Sequence, residues 1–94
     1  MRSERDYDAV IRIAEGEVVT HELNWLDWLG HDTIQAAFIE ATGLTVTPLG
    51  NGITTQRFRI ENAVAGKRYE MVATITTAGG DTLKASLLVI GERP

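Results

Sequence analysis

Apolar and polar residues alternate along most of this chain, the pattern of strands with one buried face. The segment "DAVIRIA" (8–14) puts Ala9, Ile11 and Ile13 on one face, and Glu15-Gly16 follows as a tight turn. In "EVVTHELNW" (17–25), Val19, His21, Leu23 and Trp25 share a face opposite Val18, Thr20, Glu22 and Asn24. Residues 26–32 form a compact connection, one helical turn at most. The next strand, "TIQAAFIEA" (33–41), aligns Ile34, Ala36 and Phe38. A helix over 32–41 is its rival, because Asp32 suits a cap and Gly43 a stop. "LTVTPL" (44–49) carries Pro48, which cannot donate to a ladder and suits an edge. After the turn "LGNG", "ITTQRFRIE" (53–61) aligns Thr54, Gln56, Phe58 and Ile60 against Arg57 and Arg59. "KRYEMVATITT" (67–77) aligns Tyr69, Met71, Ala73 and Ile75, and "AGGD" (78–81) gives the glycines that hairpin turns favour. "TLKASLLVI" (82–90) places Leu83, Ala85, Leu87 and Val89 on one face.

About seven strands, with a turn signal every roughly eight to twelve residues, predict an all-β fold: a sandwich or barrel of antiparallel strands. Tyr69 follows a Gly-containing turn at the start of the sixth strand. In an immunoglobulin-like β-sandwich, a tyrosine there folds back and its hydroxyl bonds to backbone a few residues upstream. The alternative is an ordinary half-buried strand tyrosine.

The 94 residues suffice for one small domain with one core, expected over 8–94 after a flexible charged lead-in at 1–7. With no cysteine, disulfides, thiolate metal sites and cysteine catalysis are excluded, and synthesis in a reducing cytoplasm is favoured. Nine basic and thirteen acidic residues give a net charge of −4, which argues against a nucleic-acid binder needing a basic face. The first ten residues, "MRSERDYDAV", lack the apolar run of a signal peptide, and no segment is long and apolar enough to predict a membrane span.

"NWLDWLGHDTI" (24–34) contains both tryptophans. Trp25 continues the apolar face of the second strand and is expected in the core. Trp28, between Leu26 and Leu29, is expected to cap one end of the core; the alternative is a stacking platform for a sugar. A 94-residue domain needs its large apolar groups inside, which favours the core. His21, His31 and Asp32 match no metal-binding spacing, and Asp32 suits a turn in which it accepts nearby N–H groups. No metal or cofactor is expected. Ser3 and Ser86 lie in no nucleophile elbow. Glu15/Glu17 and Asp27/Asp32 would need a cleft to act as a glycosidase pair. The chain therefore reads as a non-enzyme, with a small hydrolase the weakest alternative.

Charge suggests a contact surface. Arg57, Arg59, Lys67 and Arg68 are basic candidates for partner contact, facing Glu15, Glu17, Glu22 and Asp27 on an acidic flank. Complementary flanks would orient copies head to tail; the alternative is an ordinary solvated surface. Edges at 44–49 or 82–90 are candidates for adding to a partner's sheet, and the lead-in for ordering on assembly.

Over residues 7–91 the chain resembles small phage and prophage virion proteins of the fiber–tail adaptor type. The shared blocks are "DAVIRI", "NWLDWLGHDTI", "GLTV" and "AGKRYEMVATITTAGGDT". Asn24 stands where aspartate is usual, and Phe38 where tryptophan is. The resemblance implies an immunoglobulin-like single domain acting as a virion structural protein at a tail or neck. It implies contacts with other phage structural proteins or with further copies, and no catalytic residues. Trp25, Trp28, Asp32, Thr33, Ile34 and Tyr69 would then be fold determinants.

Overall fold

The computed structural model describes residues 4–94; positions 1–3 of the lead-in, with Ser3, lie outside them. The described residues form seven strands: β1 (Ala9–Ala14), β2 (Val19–Asn24), β3 (Ile34–Ala41), β4 (Thr45–Asn51), β5 (Thr55–Glu61), β6 (Arg68–Thr77) and β7 (Thr82–Glu92). One helical turn, α1 (Leu26–Leu29), joins β2 to β3. The strands make two sheets, ordered β1-β7-β6-β3 and β2-β5-β4, with the core between them. Residues 34–41 are strand, so the helical alternative over 32–41 is set aside.

The core faces follow the alternation. Phe58 and Ile60 of β5, Met71, Ala73 and Ile75 of β6, and Leu87 and Val89 of β7 are fully buried. Burying a Val, Leu, Ile, Phe or Met side chain contributes about 1.5–3 kcal/mol, so these seams are the main source of stability. Tyr69 closes the corner between β5 and β6: its hydroxyl accepts the Val64 N–H at 2.9 Å. Nearby, Gly91 leaves no room for a side chain, because a Cβ there would lie 2.0 Å from the Val64 carbonyl oxygen.

β3 departs from the expected face. Its pairing with β6 shifts between Ile34 and Ala36, so Gln35 is an extra, bulged residue. Past the bulge the facing inverts: Ala37, Ile39 and Ala41 pack on the core, while Phe38 points out and is 54% exposed. The Ala36/Phe38 face predicted as inward is thereby corrected, and Phe38 is not a core replacement for tryptophan.

The pairing of β1 is a second difference. It runs parallel to β7, from Ala9 opposite Leu87 to Ala14 opposite Glu92, whereas the other four pairings are antiparallel. β7 is therefore an interior strand, and its candidacy as a free edge is corrected; β4 does lie at an edge. β7 also buries Leu88 on its outer side. Glu4–Asp6 form a 3-10 turn, and the Tyr7 hydroxyl then bonds to the Glu70 carboxylate on β6. Since β7 lies between β1 and β6, this bond ties the start of the chain to β6 across β7.

Tyr69→Phe leaves the Val64 N–H without its acceptor and is expected to lower the unfolding free energy by about 1–2 kcal/mol in urea titration. An unchanged midpoint and slope would show that the corner bond contributes nothing.

Candidate interaction surfaces

Trp25 is 1% exposed, and its indole N–H donates to Gln56 Oε1 at 3.1 Å. The Gln56 amide donates in turn to the Phe38 carbonyl at 2.8 Å. A buried polar pair thus joins the β2 end of one sheet to β3 of the other, with its donors satisfied as burial requires. Trp28 packs edge-on against Trp25, with ring centroids 4.6 Å apart at 87°. It stays 43% exposed because α1 is a single turn at the rim and the core beneath it is already filled by Trp25. The expectation of a core Trp28 is corrected to exposed, with one edge against Trp25, a contact worth about 0.5–1.5 kcal/mol beyond the area it covers.

Asp32 fastens the same end of the sandwich. Its carboxylate accepts the Thr33 N–H at 2.8 Å and the Gly79 N–H at 3.1 Å, and a hydrogen bond from the Thr77 hydroxyl. The Thr77 hydroxyl also accepts the Asp81 N–H at 3.0 Å, so the α1–β3 connection is tied to the β6–β7 hairpin. The "WLGHDTI" and "VATITTAGGDT" blocks meet here. A Cβ at Gly79 would lie 2.7 Å from Asp32 Oδ2, so a side chain there would displace the carboxylate from this position. Ile34 continues from the motif into the core, and its N–H donates to the Ile53 carbonyl at 2.9 Å. The bonds from Thr77, then Thr33 and Gly79, hold the Asp32 carboxyl below its ordinary pKa. Burial alone pushes the His21 pKa down, and its ring lies against Phe58 at 5.4 Å.

The basic candidates do not form one patch. Arg57 and Arg59 lie on the outer side of β5 in the three-stranded sheet, while Lys67 and Arg68 lie at the start of β6 in the other. Arg57 makes a loose, exposed ion pair with Glu22 at 3.9 Å, worth at most about 1 kcal/mol. Two of the acids fasten turns. Glu17 accepts the Ala14 N–H at 2.7 Å, and Glu15 accepts the Ala65 N–H at 3.1 Å. No group of three or more potential metal ligands converges among the described residues.

A cavity of about 110 Å³ opens between β2 and the β1/β7 side, lined by Asp8, Leu23, Asn24, Trp25, Trp28 and Ala85. One acceptor atom on each of its two polar residues is engaged. Asp8 Oδ2 accepts the Ser86 N–H at 2.7 Å, and Asn24 Oδ1 accepts the Leu26 N–H at 2.9 Å.

Comparison with known proteins places this arrangement. The family model described as "Podophage GP4 fiber-tail adaptor protein gp77" matches residues 14–90. The chain belongs to that fiber–tail adaptor family. No curated protein sequence matches it. Among solved structures it is similar to the crystal structure of the titin M3 domain, with a TM-score of 0.57 and 17% identity over 90% of each chain. That likeness shows the fold, an immunoglobulin-like β-sandwich. In this adaptor-family chain the match spans Trp25, Trp28, Asp32, Thr33, Ile34 and Tyr69, all of which lie at the α1 end or the β5–β6 corner. Sequence reasoning missed Gln56 as the inter-sheet bridge. Its one signal was a polar side chain on an otherwise apolar face.

Both depressed pKa values act with the same sign. Unfolding binds protons to His21 below its ordinary 6.5 and to Asp32 below its ordinary 3.8. Stability is therefore full above those values and lost as pH falls through the lower folded ones. Urea unfolding across pH 8 to 3 is expected to show two successive declines, with Asp32→Asn removing the more acidic one. A wild-type profile that is flat, or unchanged by Asp32→Asn, would contradict the Asp32 fastening.

Proposed function

We propose that this chain is a structural component of a phage or prophage virion, a tail or neck fiber–tail adaptor that holds neighbouring tail proteins through protein–protein contacts. The observation that carries this reading is the adaptor-family match over residues 14–90. The architecture supports it. The sandwich is a platform with four edge strands and two loop ends for contact. No helix among the described residues is long and apolar enough to cross a membrane. The role is mechanical, with no cofactor and no reaction, and the protein is made in the host cytoplasm before assembly. Contacts to other phage structural proteins are its business, not nucleic acid. Arg57 and Arg59 on one sheet and Lys67 and Arg68 on the other serve two separate contacts, and further copies in the particle are compatible with that division.

The exposure of Trp28 favours one second reading, a small carbohydrate-binding module that stacks a sugar on its indole. The edge-on packing of Trp28 against Trp25, which holds its ring at the rim of the core, weighs against it. Mass spectrometry of particles purified after induction of the encoding phage is expected to find the protein at a fixed copy number. Intact particles without it would overturn the adaptor reading. A sugar-dependent shift in tryptophan emission would then restore the module.

A further inference from the structure

In an immunoglobulin-like sandwich the first strand commonly pairs with the second, completing a four-stranded sheet. Here β1 pairs instead with β7, and the opposite sheet is only β2-β5-β4. No strand among the described residues occupies the outer side of β2. The backbone groups on that side can be assigned. The Trp25 N–H donates to the Thr54 carbonyl at 2.8 Å, so it points toward the β5 side. By the alternation of an antiparallel ladder, Val19, His21 and Leu23 also direct their N–H and C=O groups at β5. Thr20, Glu22 and Asn24 direct theirs outward, to the vacant edge. The inner face is incompletely covered here too: Val19, His21 and Leu23 are only half-buried, whereas their neighbours Gln56, Phe58 and Ile60 on β5 are buried.

The β4 and β3 edges are less open. β4 carries Pro48 and an irregular register between Pro48 and Asn51, both of which blunt strand addition. β3 has its Phe38 carbonyl capped by Gln56 and its Ile34 N–H by Ile53. Beside β1, Arg12 is bridged to Glu4 at 2.9 Å. β2 has no proline and no bulge.

We propose that the β2 edge is the docking site for an extended segment of a neighbouring tail protein, which adds as the missing fourth strand of the three-stranded sheet. This rests on the adaptor reading above. Backbone pairing with Thr20, Glu22 and Asn24 supplies the hydrogen bonds. The cavity beside Leu23, Trp25 and Trp28 has room for one medium-sized apolar side chain from that segment. The chemistry of the surroundings selects a basic strand. Glu22 lies on the edge strand itself, in a loose exposed pair with Arg57 at 3.9 Å, Glu17 and Asp27 lie just before and after the strand, and residues 15–32 hold no lysine or arginine. Arg57 and Arg59 lie one strand further in. The partner segment is therefore extended, with lysine or arginine alternating with an apolar residue.

Residue-resolved amide hydrogen exchange, on the isolated protein and on purified particles, tests this. The amides of Thr20, Glu22 and Asn24 are expected to exchange quickly in the isolated protein and to slow by ~10-fold or more in the particle. Glu22→Pro removes an outward donor without touching the β5 ladder. It should keep near-wild-type melting yet be absent from particles. Particles that carry the protein with these amides unprotected, or that incorporate Glu22→Pro at wild-type copy number, would overturn the docking site and leave the adaptor reading standing. Particles lacking wild-type protein would overturn both. Protection already present in concentrated isolated protein would assign the edge to a second copy and overturn the proposal.

Discussion

A strand can give one side of its backbone to only one neighbour, and in this protein β1 gives it to β7. The parallel ladder from Ala9 to Ala14 against Leu87 to Glu92 draws the start of the chain into the four-stranded sheet. Other features depend on that choice. Tyr7 is brought within reach of Glu70 on β6, across β7. β7 becomes an interior strand, which is why it can bury residues on both sides. β2 is left with one neighbour, and the cavity by Trp28 lies in the gap that a β1–β2 pairing would close.

The two flanks of the sandwich therefore differ. On one, the β3–β4 connection wraps from sheet to sheet, and the Trp25–Gln56–Phe38 chain joins the layers through buried hydrogen bonds. On the other, between β1 and β2, the layers meet across half-buried side chains. The α1 end is held by Asp32, whose bonds to Thr33, Thr77 and Gly79 fix one turn against another. The opposite end is held by the Tyr69 corner and by the close passage of Gly91 past Val64. The fold is thus fastened at both ends and along one flank, and open along the other.

Much of this was legible in the alternation of side chains. β5 and β6 have strict inward faces, and their buried residues follow from the sequence because each strand lies between two others or is paired along its whole length. The Tyr69 corner was legible for the same reason: a Gly turn before an alternating strand sets where the hydroxyl reaches. β3 was misread beyond Gln35 because one bulged residue inverts every later side chain, and nothing in "TIQAAFIEA" marks the bulge. Trp28 was misread because a large apolar residue at the end of a small domain is not obliged to be inside when Trp25 already fills the space. The parallel partner of β1 was not legible at all, since "DAVIRIA" buries the same face against either sheet.

The most direct test of this account is the neighbour of β1 in solution, read from inter-strand nuclear Overhauser contacts in isotopically labelled protein. The account predicts backbone contacts between Ile11 and Val89 and between Ile13 and Gly91, in parallel register, with none between residues 9–14 and 19–24. Backbone contacts linking β1 to β2 would contradict it, because the vacant edge and the cavity's origin would both disappear.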